Sequence, residues 1–176
     1  METFLANKIT INYEHSRKKV AYFAGGCFWG MQYYFDKLEG VVKTTVGYMG
    51  GERQDPTYKQ VCGGDTGHLE ALEVVYDTDK INFEILCKYF FEIHDPTQKN
   101  GQGPDIGEQY LSAVFVADDE QKEITGKLIG ILKEKGFDVV TKILPTGEFW
   151  EAETYHQKYY EKNGHEPYCH FYTKRF

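Results

Sequence analysis

The chain has 176 residues, 41% hydrophobic and 27% charged, with 14 Tyr and 12 Phe. That length suits one domain able to bury on the order of 70% of its unfolded surface without covalent staples, and the aromatic surplus points to ring packing and an aromatic pocket. A net charge of -7 argues against nucleic-acid or anionic-membrane binding, which want a basic face, and no apolar run has the form of a signal-peptide core or a membrane span, so a cytoplasmic location is expected.

In chain order, residues 1 to 17 are polar and irregular and read as a loosely held extension. Lys19 to Ala24 is apolar on both faces, as in a central strand covered on both sides. Gly25 and Gly26 lead into a helix with Phe28, Met31, Phe35 and Leu38 on one stripe and Gly40 as its stop. Val41 to Tyr48 and Leu69 to Asp77 read as strands, Asn82 to His94 as a helix with Leu86, Phe90 and Ile93 inward, and Leu111 to Ala117 as a strand. A helix over Asp119 to Lys135, a strand over Asp138 to Ile143 and a short helix over Glu151 to Asn163, ended by Gly164, complete the list. This order predicts an α/β, or α+β, two-layer sandwich with a ferredoxin-like core, long loops and an irregular tail over 164 to 176, all in one catalytic domain spanning 1 to 176. Met49 to His68 and Asp95 to Gln109 exceed simple turns, and connections of that length are commonly functional.

The four cysteines, Cys27, Cys62, Cys87 and Cys169, are widely spaced without a C-x-x-C pair, which removes zinc ribbons and the thioredoxin motif from consideration. In a reducing compartment such thiols are inert core residues or catalytic groups. Cys27, in Ala24-Gly25-Gly26-Cys27-Phe28-Trp29-Gly30, is placed in the first turn of a helix, where free N–H groups and the helix dipole favour a thiolate. Phe28 fits the apolar stripe, as a core ring or a pocket residue would, and Trp29 lies off it, as a pocket wall or a ring packed on a neighbouring loop would. Cys87 shares a helix with Phe83, Phe90 and Phe91 and reads as core.

GCFWG, DPTYKQVCGGDTGHLEAL, GPDIGEQYLSAVF and AETYHQKYY, in that order from about Val20 to Tyr160, resemble the type A peptide methionine sulfoxide reductases. The resemblance implies that Cys27 attacks the sulfoxide sulfur and becomes a sulfenic acid, that Phe28 and Trp29 hold the substrate methyl group, and that Glu70 protonates the departing oxygen. It also implies that Tyr58, Tyr110 and Asp105 bind and orient that oxygen, and that the S epimer is taken. The residues agree in kind. An oxide cannot leave unprotonated, and a glutamate, with an ordinary pKa of about 4.3, serves as the acid only if burial raises that value. Strand alternation places Glu70 with Leu72 and Val74, and Glu73 with Ala71 and Val75, without choosing between the two acids; the family motif selects Glu70.

Turnover needs a second thiol to condense with the sulfenic acid, giving a disulfide for an external thioredoxin-like dithiol to reduce. Cys169, in a tail expected to be mobile, is the recycling candidate, and Cys62 competes with it. No metal or organic cofactor is implied; the partners are methionine sulfoxide, free or in oxidised proteins, and thioredoxin. Two other readings remain. A papain-like cysteine hydrolase would need a histidine paired with Cys27, although His156 reads as a packing residue. A non-catalytic aromatic binding module would not depend on Cys27.

Overall fold

A computed structural model describes residues 17–176; apart from Arg17, the extension predicted over 1 to 17 lies outside the described residues. Lys18–Gly25 forms strand β1, the centre of a six-stranded sheet. Its neighbours are β3 (Leu69–Asp77) and β6 (Ser112–Val116), both antiparallel, with Phe23 opposite Leu72 and Val114. β2 (Val41–Met49) pairs with β3 on the far side. Helices α1 (Phe28–Phe35) and α3 (Phe83–Ile93) supply the crossovers. The resulting order, β6-β1-β3-β2 with β1-α1-β2-β3-α3-β6 along the chain, is the ferredoxin-like core that the sequence predicts.

The two faces of this sheet are covered differently. On one, Ala21, Phe23, Val46, Leu72, Val74 and Val114 pack under α1 and α3, where Phe23 lies 5.3 Å from Phe35 and 5.1 Å from Phe90 between ring centroids. Truncating a ring buried like Phe23 costs about 3–5 kcal/mol. α4 (Asp119–Glu134) packs on α3 and β6, capped by the Asp118 side chain, and buries Thr125, Leu128 and Leu132. On the other face, Ala24, Met49, Ala71, Ala113 and Phe115 are covered by Tyr22, Leu111, Leu144 and Phe149, none of them helical. β1 therefore has apolar partners on both sides, as its unbroken apolar run predicts.

Several predicted elements shift. The last predicted strand is β7 (Lys142–Pro145) rather than Asp138 to Ile143, parallel to β6. The backbone at Val140 bonds instead to the Pro96 carbonyl, which takes it out of the ladder. The single helix predicted over Glu151 to Asn163 is three pieces: β8 (Trp150–Glu151) beside β2, a 3-10 turn over Thr154–His156, and α5 (Tyr159–Asn163). Lys158 breaks it with a left-handed φ of 56° while its N–H donates to the Gln32 side chain, so a tertiary bond overrides helical periodicity. The long connections carry structure too: α2 (Tyr58–Cys62), with a capping box between Thr57 and Gln60, in the first, and the hairpin β4 (Gly101–Gln102) and β5 (Asp105–Ile106), followed by a 3-10 turn at Glu108–Tyr110, in the second.

Candidate active site

Cys27 is the N-cap of α1, one residue earlier than the first helical turn, at the end of the central strand. The turn that puts it there needs Gly26: φ is +89°, and a Cβ would stand 2.4 Å from the Gln102 Cβ. Gly25 is needed for space as well, since a Cβ there would meet Met31 Sδ at 2.8 Å. The two glycines thus let the helix and the β4-β5 hairpin close around the thiol.

The predicted groups converge. The Sγ atoms of Cys27 and Cys169 and a carboxylate oxygen of Asp105 all lie within 4.8 Å of one another. Glu70, second residue of β3, is 2% exposed; its Oε1 accepts the Phe28 N–H at 3.2 Å, and Oε2 is buried without a partner. Burial first, then the neighbouring Cys27 and Asp105, push the Glu70 carboxyl well above its ordinary value, against the pull of the Phe28 N–H. Glu73 instead takes a hydrogen bond from Tyr22 and is half-buried. Burial therefore separates the two acids that alternation left equivalent.

Tyr58 opens α2 and Tyr110 ends the 3-10 turn; both phenols are raised, by burial first, and both feel the Glu70 charge. Asp105 Oδ1 accepts from Tyr168 at 3.1 Å, while Oδ2 is buried without a partner. Phe28 is fully buried, 5.2 Å from His156 and 5.8 Å from Tyr48 between ring centroids. Trp29 stacks on Tyr159 at 3.7 Å and donates to His156 Nδ1 at 3.0 Å. A hollow of about 240 Å³ beside Trp29 is lined by Tyr33, Tyr159 and Tyr160.

Two expectations are corrected. Cys27 does not rest as a favoured thiolate: its pKa is raised well above the ordinary thiol value by the hydrogen bond with Cys169 and by burial, which outweigh the Trp29 and Gly30 N–H groups at the helix start. The tail is not a free arm either. Cys169 is 4% exposed and His170 1%; the segment is tied down by His170 to the Gly25 carbonyl, by Tyr34 to the His170 carbonyl and by Thr173 and Arg175 to Glu92.

Cys62 is exposed and Cys87 is buried against Thr125. His156 is fully buried, accepts the Trp29 N–H on Nδ1 and leaves Nε2 buried without a partner, and His68 spends both ring nitrogens on the Gly51 and Arg53 backbone, so neither is hydrogen-bonded to Cys27. Sequence reasoning missed two groups. The Tyr160 hydroxyl is buried without a partner and feels the Cys27 and Cys169 charges. His170 lies 3.0 Å from Cys169. A tyrosine stripe and a histidine beside a cysteine carry no sequence signal of their own. Among the described residues, Cys27, Asp105 and Cys169 are also the cluster that could hold a metal ion.

A buried thiol beside a second thiol, a carboxyl whose pKa burial raises and phenol donors defines a thiol-based oxidoreductase rather than a hydrolase, which would need a base on Cys27. Residues 19–176 match the family model described as peptide methionine sulfoxide reductase, and the chain belongs to that family. The peptide methionine sulfoxide reductase MsrA of Nautilia profundicola is 50% identical over 149 residues, 85% of this chain and 86% of the relative. The reduced form of Mxr1 from Saccharomyces cerevisiae superposes with a TM-score of 0.82 at 38% identity, covering 89% of this chain and 93% of that one. Mxr1 in complex with Trx2 gives 0.59 at 26% identity over 89% and 91%.

Proposed function

We propose that the protein reduces the S epimer of methionine sulfoxide, free or in proteins, with Cys27 as nucleophile, Cys169 as resolving thiol and a thioredoxin-type dithiol as terminal reductant. The observation that carries this is the approach of the Cys27 and Cys169 Sγ atoms and an Asp105 oxygen to within 4.8 Å of one another. The Mxr1 complex with Trx2 supports the choice of reductant.

Cys27 sulfur gives an electron pair to the sulfoxide sulfur, Glu70 protonates the oxygen and is reloaded by the proton that the Cys27 thiol gives up, and the oxygen passes to Cys27 as a sulfenic acid while methionine leaves. Glu70 is the proton donor. Its Oε1 is occupied by the Phe28 N–H, so the proton belongs on the unpartnered Oε2, and a Cys27 thiolate forming beside it raises the carboxyl further and keeps the acid loaded. Tyr58 and Tyr110, protonated across the working range, donate to the same oxygen, and Asp105 orients it. Phe28 and Trp29 hold the methyl group. Because Cys27 is only 6% exposed with Cys169 against it, the tail moves aside for the substrate and returns to close the disulfide, releasing water. No bound metal or organic cofactor takes part; an ion on the two thiols would block both steps. The same chemistry favours a cytoplasmic location, where thioredoxin keeps dithiols reduced. Among the described residues no helix is long and apolar enough to cross a membrane.

The deciding experiment supplies resolved methionine sulfoxide epimers with dithiothreitol, then with thioredoxin, its reductase and NADPH, and measures methionine. Turnover of the S epimer alone is expected, and none from Cys27→Ser with either reductant. Activity surviving in Cys27→Ser would refute the assignment of the nucleophile.

A further inference from the structure

Cys169 has a partner of its own. Its Sγ lies 3.0 Å from His170 Nδ1, and the Nε2 of that ring lies 2.7 Å from the Gly25 carbonyl oxygen. A carbonyl oxygen only accepts, so Nε2 carries the ring proton, and in a neutral ring Nδ1 is then a bare acceptor. The Cys169 S–H must donate to it.

The seat of the ring is built. His170 is 1% exposed, and it presses on the glycine that follows Trp29: a Cβ on Gly30 would stand 2.2 Å from His170 Nδ1. The last glycine of the Cys27 motif thus makes room for a histidine from the C-terminal tail. The charged and titratable groups around the ring are Asp105 from β5, His94 beyond the end of α3, the Cys27 and Cys169 thiols, and Tyr34 of α1, whose hydroxyl bonds the His170 carbonyl.

We propose that His170 is the general base of the recycling step, taking the proton from Cys169 as that sulfur attacks the Cys27 sulfenic acid. This inference rests on Cys169 being the resolving thiol. In the step the Cys169 S–H bond breaks and its proton goes to His170 Nδ1. An electron pair on Cys169 forms the S–S bond, the Cys27 S–O bond breaks, and the hydroxide takes the proton back and leaves as water. Cys169 is oxidised and the sulfenic sulfur reduced, so no further reagent is needed. Burial holds the His170 pKa down at about 4, which keeps Nδ1 unprotonated at any working pH. The ring gains basicity only as negative charge develops on the sulfur beside it, because an opposite charge at that distance favours the imidazolium. The same histidine therefore stays neutral at rest and acts when Cys169 does.

The test is a single turnover of the reduced enzyme with methionine sulfoxide, following disulfide formation by quenched thiol counting, and methionine release in the same samples as a separate report on the first step. In the wild type, disulfide formation should be nearly flat from pH 5.5 to 8. A thiol attacking without a base does so as its thiolate, whose fraction rises about tenfold per pH unit below its pKa, and such a rise in the wild type would overturn the proposal. His170→Asn offers an acceptor near Nδ1 but no base; it should slow disulfide formation about 10²-fold at pH 7 and recover as pH rises. Equal slowing of both steps, or slowing that is the same at every pH, would make His170 a structural residue and also overturn it. If Cys169→Ser still cycles with thioredoxin, the resolving assignment itself has failed, an outcome distinct from a wild-type pH slope.

Discussion

The two halves of the site are built by different physics. The joint from Gly25 to Gly30 ends the central strand and starts α1, so Cys27 is fixed by ladders on both sides of β1 and by the helical bonds that the Gly30 and Met31 N–H groups donate to its carbonyl. The tail from Gly164 to Phe176 has no regular structure and is held by scattered bonds: Tyr168 to Asp105, His170 to Gly25, Thr173 and Arg175 to Glu92. Each of these contributes about 1 kcal/mol net, and none is cooperative with a ladder. The proposed nucleophile needs a fixed position and the proposed resolving thiol needs to travel, and the joint and the tail suit those two roles.

The comparison breaks most sharply at the two sulfurs. Changing Cys169 to Ser should leave a joint that releases one methionine per enzyme and then stops with thioredoxin, measured as methionine per active site; continued cycling would transfer the role to Cys62 or to direct reduction of the sulfenic acid. Glu70→Gln strikes the joint side and should slow methionine formation about 10²-fold or more while leaving the tail seated; an unchanged rate would remove Glu70 as the acid.

A milder effect comes from the two histidines buried where the regions meet. His94 is lowered from 6.5 to about 3 and His170 from 6.5 to about 4, both by burial first. The unfolded chain takes up these protons before the folded one, so their contribution to stability is whole above pH 6.5 and is lost as pH falls through that value toward the folded pKa values. Urea unfolding between pH 7 and 5 should register a loss of about 2 kcal/mol per ring, and His94→Gln should flatten the curve. The smallest effect is expected from Gly30→Ala. The clash with the His170 ring should cost about 1–3 kcal/mol, offset in part by a gain of up to about 1 kcal/mol in helix propensity. Unfolding free energy and the rate of disulfide formation should both fall; unchanged recycling would show that the seat under His170 is dispensable.

Legibility in the sequence follows the same division. β1, β2, β3, α3 and α4 could be read because local period and burial coincide: Leu86, Phe90 and Ile93 repeat at helical spacing and all three are buried. The Glu151 to Asn163 segment misled because its helical pattern is real, but the Gln157 and Gln32 side chains bond backbone groups on other elements and break it at Lys158. The places of Cys27 at the strand end and of Glu70 on β3 were legible in the sequence. The charge state of Cys27 was not, because a helix terminus is local information while burial under Cys169 is not.

The amino-acid order alone determined the strand-helix core and the place of Cys27 at its central joint, since each is set by neighbours a few positions apart. Only the tertiary structure decided which of two glutamates is buried, which of the other cysteines meets Cys27, and that His170 rests against Gly30. Those outcomes depend on desolvation and on contacts between residues more than a hundred positions apart in sequence, such as His170 on Gly25, which no local pattern encodes.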